Sequence, residues 1–228
     1  MTTIGLVITI MSAVGVWIVL AAWRPATTAS VTAFMLHSPA TLIHEFTHAV
    51  VGTVTGGIAT GIRLMSAMHA ETRVLHFTLL SRVLTPVAGY ILTPLFGLAV
   101  ALGGTISQDD PVWQRLPYAA LAVVAMGCLL LSRNLLAFAA SVWMGTLTFL
   151  LWMNPVLPAT WAGAVICILA AIAAWGLVGQ HAEFGRDVES DATRGLLRAA
   201  HPVVPAVMWA LFATVCAGCA THLAFVAG

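Results

Sequence analysis

Charge is what this chain has least of. Only 7% of its 228 residues are Asp, Glu, Lys or Arg, against about a quarter in a soluble globular domain, so the chain cannot build a surface for water. Lysine is absent, and all nine basic residues are arginine. A net charge of +1 with no basic patch excludes nucleic-acid recognition. The same scarcity of polar groups excludes disorder. Cysteine is also sparse: Cys128, Cys167, Cys216 and Cys219 all lie in apolar runs and provide no disulfide framework of the secreted kind. The Cys216–Cys219 pair has C-x-x-C spacing, but its apolar setting reads as packing and not as redox chemistry.

What the chain does have is apolar length. Hydrophobic residues make up 61% of it, and its mean hydropathy is +1.00. A helix needs about 20 apolar residues to cross the hydrocarbon core of a bilayer. Runs 4–23, 31–55, 83–102, 112–131, 134–153, 156–179 and 203–227 meet that length. The first lacks a charged n-region and is too long for a signal-peptide core, so it reads as a span. The expected fold is an all-α polytopic membrane protein of about seven transmembrane helices, a single domain over residues 1–228. Seven spans put Arg63, Arg73, Arg82, Arg133, Arg186, Arg194 and Arg198 on one face, and Arg24 and Arg115 at the other. The positive-inside rule then places the N-terminus in the cytoplasm and the C-terminus outside.

Two loops on the cytoplasmic face are long enough to matter. Segment 56–82 opens with Gly56-Gly57 and alternates around Arg73-Val74-Leu75-His76-Phe77-Thr78-Leu79. This is the period-two pattern of a short β-hairpin at the membrane surface. Segment 180–202 carries Glu183, Asp187, Glu189 and Asp191. Between the fourth and fifth runs, Ser132-Arg133-Asn134 is brief enough to be the tight turn of a helical hairpin.

Chemistry concentrates in the second run, which contains His44-Glu45-Phe46-Thr47-His48. On a helix, residues four apart share one face, so His44 and His48 can hold a single zinc ion. Glu45, beside them, can act as general base toward the attacking water. Ionisable groups inside a span are costly and mark function by default, and here three fall within five residues. His37 lies seven residues before His44, two turns along the same face, where it could line a water path or tune the metal, but Pro39 between them is expected to interrupt the helix, which favours a packing or interfacial residue. His69, His76, His181, His201 and His222 have no ligand spacing. Pro86 and Pro94 read as packing kinks, and Gly52-x-x-x-Gly56 as a close helix approach.

His44-Glu45-Phe46-Thr47-His48 followed by Gly56-Gly57 resembles the site-2 protease family of intramembrane zinc metalloproteases, and more narrowly its compact M50B-like bacterial branch. Ala88-Gly89-Tyr90 with Pro94 and Gly97 resembles a segment of a later span in that branch. Ser190-Asp191-Ala192, Pro202 or Pro205, and Trp209 resemble a segment near its last span. The resemblance implies hydrolysis of a peptide bond in or near the transmembrane segment of a membrane-anchored protein, in a bacterial cell membrane. The substrate span would be unwound locally and received by strand addition at the hairpin, 58–79.

The chain departs from the wider family in having no Leu-Asp-Gly, the segment whose Asp supplies the third zinc ligand. Asn134-Leu135-Leu136 resembles the start of that segment, but no acid follows in the span. The expected topology leaves Asp109 and Asp110 on the wrong face and Asp187, Glu189 and Asp191 on the right one. Asp191, in the family-like segment, is therefore the expected third ligand beside His44 and His48. A reading from another class is a membrane transporter or sensor that binds metal through His44, Glu45 and His48 without hydrolysis. Transport would need polar residues spread along several spans, and the later runs offer few.

Overall fold

The computed structural model describes residues 28–106, 115–153, 159–184 and 203–227. The elements in order are α1 (Thr28–Val54), β1 (Gly57–Leu64), β2 (Ala70–His76), α2 (Leu79–Ile106), α3 (Leu116–Leu131), α4 (Leu135–Met153), α5 (Ala159–Phe184) and α6 (Val203–Ala227). The chain is thus mostly helical, with one two-stranded antiparallel sheet. Run 4–23 and the acids Asp109, Asp110, Asp187, Glu189 and Asp191 lie outside the described residues.

Against an expectation of about seven spans, the described residues contain four helices that qualify. Leu79–Ile106, Leu135–Met153, Ala159–Gln180 and Val203–Val226 are long and apolar enough to cross a membrane, which makes this a membrane protein. Helix α3 has 16 residues, or about 24 Å at 1.5 Å per residue, short of the roughly 30 Å hydrocarbon core. Helix α1 has 27 residues, but its buried Glu45, Thr47 and His48 lower its apolarity.

Two apolar cores hold the bundle. One joins Phe34, Leu42 and Ile43 of α1 to Ile62 and Leu64 of β1, Leu121 and Cys128 of α3, and Leu136 and Trp143 of α4. The other is built from small residues: Ala101 of α2, Ala164, Cys167 and Ala171 of α5, and Ala213, Cys216 and Ala220 of α6. Small side chains let helix backbones approach closely, which is the main source of packing where lipid supplies no hydrophobic drive. At the α2–α5 crossing, a Cβ on Gly163 would lie 2.3 Å from the carbonyl oxygen of Gly97.

Helix α1 runs unbroken through Pro39, contrary to the interruption expected there. Proline removes the N–H that would bond the carbonyl four residues earlier, here that of Met35. The indole Nε1 of Trp143 on α4 donates to that carbonyl at 3.0 Å. A neighbouring helix thus supplies the missing donor, as membrane helices require.

Gly56, with φ +92°, ends α1 and turns the chain into the hairpin. The sheet is longer than the expected alternation around residues 73–79. It pairs Gly57–Leu64 with Ala70–His76, with a bulge between Ala59 and Gly61, and Leu79 already begins α2. The α3–α4 connection is the tight turn expected, but it also docks on the sheet. Arg133 N–H donates to Ile62 O at 2.9 Å, and Arg133 Nε to Thr60 O at 2.6 Å. Asn134 donates to Leu64 O at 2.7 Å and accepts from Leu64 N–H at 3.2 Å. Its Oδ1 also accepts from Ala137 N–H at 3.0 Å, capping α4. The hairpin and the 132–134 turn therefore share one end of the bundle.

Candidate metal centre

The second half of α1 carries the His44-Glu45-Phe46-Thr47-His48 motif. One ligand atom from each of His44, Glu45 and His48 can be chosen so that all lie within 4.8 Å of one another. The two imidazoles meet edge to face, with centroids 4.7 Å apart, as side chains one turn apart on a single face should. Glu45 and His48 are buried.

Helix α2 shapes this group through a stripe of small and polar residues spaced by four: Ser81, Thr85, Gly89 and Thr93. His48 Nδ1 is 2.5 Å from Thr85 O. A carbonyl only accepts, so Nδ1 carries the proton and Nε2 carries the lone pair, the tautomer a metal ligand needs. One turn on, Gly89 leaves space for His44. A Cβ there would lie 2.4 Å from its Cε1 and 2.5 Å from its Nε2. Tyr90 meets the same imidazole edge to face at 4.8 Å. The Ala88-Gly89-Tyr90 segment picked out by resemblance is thus the wall against which His44 is seated.

Strand β2 supplies the other side. Thr72 Oγ1 lies 2.7 Å from Glu45 Oε2 and 3.0 Å from Glu45 O, so its single proton is shared by the carboxylate and the backbone of the same residue. A Cβ on Gly52 would be 2.7 Å from a methyl of Val74, so a larger residue at 52 would push β2 away from α1. The ladder includes Met65 N–H to His69 O at 2.8 Å and Phe77 N–H to Gly56 O at 3.3 Å. Antiparallel alternation then turns the peptide groups of Thr72 and Val74 away from β1. The outer edge of β1 is taken up by Arg133 and Asn134. The hairpin therefore presents one edge, that of β2, and it passes beside Glu45.

A cavity of about 670 Å³ opens beside the group. It is lined by His44 and Glu45, by Thr72 of β2, by Tyr90 and Thr93 of α2, and by Ala173 and Gln180 of α5. His37 and His69 line it too. His37 belongs to the site's cavity and not merely to packing, because α1 stays helical and its seven-residue spacing keeps it on the His44 face. The spacing was visible in the sequence, and His69 left no such signal. Beside the hairpin tip, Thr41 Oγ1 is 2.8 Å from Ala67 O, which closes the tip over this face of α1. His76 is engaged elsewhere, 2.8 Å from Ser81 Oγ. Cys216 is buried as expected, whereas Cys219 is exposed. Asp191 lies outside the described residues. Helix α5 reaches the cavity as far as Gln180.

Apolar helices around a buried His-Glu-His group that can hold a metal, beside an open cavity, define the class of a membrane metallopeptidase. The profile of the family described as Peptidase M50B-like matches residues 6–224, nearly the whole chain, and the chain belongs to that family. No curated protein and no solved structure matches the chain.

Proposed function

We propose that the protein is a site-2 protease-like intramembrane zinc metalloprotease that hydrolyses a peptide bond in or near the transmembrane segment of a membrane-anchored protein. The observation that carries this reading is the His44–Glu45–His48 group, with His48 held by Thr85 in the ligating tautomer and His44 seated against Gly89. Its donors suit zinc: two imidazoles one turn apart and a carboxylate beside them. Asp191 completes the protein ligands in this reading, since an open catalytic site takes three and leaves a fourth position for water or substrate. When bound, zinc supplies Lewis-acid polarisation of the scissile carbonyl and lowers the pKa of the attacking water to about 7.

The chain's own residues do the rest. Glu45 takes the proton of the attacking water and passes it to the leaving amine. Thr72 holds that carboxylate in place through Oε2. The unwound substrate segment pairs with the outer edge of β2, whose peptide groups give sequence-independent hydrogen bonds beside Glu45. The N-terminus lies in the cytoplasm and the C-terminus outside.

Glu45→Gln tests the reading. The variant should keep about one zinc per chain by elemental analysis and lose cleavage of a membrane-anchored test substrate. Cleavage at the wild-type rate would remove Glu45 as the base. Zinc flux into vesicles without any cleavage by the wild-type protein would favour the transporter reading.

A further inference from the structure

We propose that Thr93 is a substrate-binding residue, its hydroxyl donating a hydrogen bond to a backbone carbonyl of the extended peptide in the cavity; this rests on the protease reading above. Hydroxyls on helices in a low-dielectric interior ordinarily bond the carbonyl four residues back. Thr53, Thr55, Ser141, Thr146, Thr148 and Thr214 all do so here, at 2.6 to 2.9 Å. Thr93 does not. Its side chain is only 2% exposed, and its Oγ1 has no hydrogen-bond partner among the described residues. The carbonyl one turn back belongs to Gly89, the residue against which the His44 imidazole is seated.

The position of this hydroxyl points to its ligand. Helices α1 and α2 run antiparallel, so contacts climb together: His48 meets Thr85, then His44 meets Gly89. One turn further, about 6 Å along the axis, Thr93 comes level with Ala40 and Thr41, and all three line the cavity. Helix α5 also lines the cavity, with Ala170, Ala173 and Ala174, which offer no side-chain polar group, and with Gln180 toward its end. Such a cavity suits an apolar extended segment that sets its side chains against α5 and turns one carbonyl toward Thr93. A buried hydroxyl left without a partner is costly in the free protein, and a substrate carbonyl would satisfy it. The segment's Leu-, Ala- and Gly-type side chains need nothing from these alanines beyond space.

The test uses the full chain in detergent, with Thr93→Val as the near-isosteric variant and Thr93→Ser as the conservative one. The substrate is a membrane-anchored protein whose single span is rich in Leu, Ala and Gly. Thr93→Val should raise KM about ten-fold, the scale of one lost hydrogen bond that leaves a carbonyl unpaired, with kcat little changed. Binding of the same substrate to Glu45→Gln should weaken equally when Thr93→Val is added. Zinc content should stay at the wild-type level, and the melting temperature should hold or rise, since a methyl replaces an unpaired hydroxyl. Thr93→Ser should restore KM. Wild-type KM in Thr93→Val would overturn the proposal alone, leaving the protease reading intact. Loss of zinc or of thermal stability would make Thr93 a structural residue. A wild-type protein that holds zinc but cleaves nothing would overturn the protease reading, and this proposal with it.

Discussion

Gly89→Ala is the substitution whose consequence can be followed furthest from the structure. The added methyl carbon would lie 2.4 Å, 2.5 Å and 2.7 Å from Cε1, Nε2 and Cδ2 of His44. The nearest contact is about 1 Å short of ordinary van der Waals separation. The methyl meets a ring and not the end of a flexible chain, and that ring is already flanked by His48 and Tyr90. Relief must come from rotation of the imidazole or from separation of α1 and α2. Overpacking of this kind costs about 1–3 kcal/mol. If the cost falls on the imidazole, it becomes roughly a five- to 150-fold loss of metal affinity, because metal–nitrogen distances tolerate only about 0.2 Å of error. The assay is a zinc titration against a competing chelator, with thermal unfolding in parallel. Gly218→Ala is the control: among the described residues, nothing beyond its own helix backbone lies within 4 Å of a Cβ there, so it should be neutral or stabilise α6 by up to about 1 kcal/mol. A Gly89→Ala protein with wild-type zinc affinity and cleavage would refute the seating of His44 against α2.

Other outcomes follow from the same geometry. Thr72→Val should keep zinc but slow cleavage by about ten-fold, since a hydrogen bond to a charged carboxylate contributes roughly 1.5–3 kcal/mol and Thr72 is only partly buried; an unchanged kcat would show that the strand does not position Glu45. Asp191→Ala should weaken zinc binding and abolish cleavage, while Asp187→Ala and Glu189→Ala leave both nearly unchanged; full zinc in Asp191→Ala would send the third-ligand assignment to another residue. A reporter fused at the C-terminus that works only outside the cytoplasm should be active. A silent reporter with a well-inserted protein would mean that one crossing has been miscounted and would undo the Asp191 argument as well.

The parts of this structure legible in the sequence are those whose cause is local. Spacing of four along one helix brings His44 and His48 together, and continuous apolar runs became α2, α4, α5 and α6. What stayed hidden depends on partners far along the chain. Pro39 reads as an interruption because its orphaned carbonyl has no nearby donor, and the donor is Trp143, 108 residues away. Strand β1 is poorly marked because the bulge after Ala59 breaks its alternation. The docking of Arg133 and Asn134 on β1 spans about 70 residues and leaves no trace in the composition of either segment. Thr72 lies in an unremarkable strand, and only the fold brings its hydroxyl to Glu45. Asp191 is assigned by resemblance and by the face its loop is expected to occupy.

The Ser132–Asn134 turn also sets an order of assembly. The ribosome delivers α1 and the hairpin well before Asn134 exists. Until then, the peptide groups of Ile62 and Leu64 that this turn will pair with lack their partners. The strand lying between β2 and that turn can settle only after α3 and α4 have been made and brought back to the same end of the bundle. Through β2 and Thr72, the surroundings of Glu45 depend on that late event. A chain assembled in this order completes the surroundings of Glu45 only when most of its bundle is already in place, so a truncated or stalled chain carries the His44–Glu45–His48 motif without the strand that packs against it.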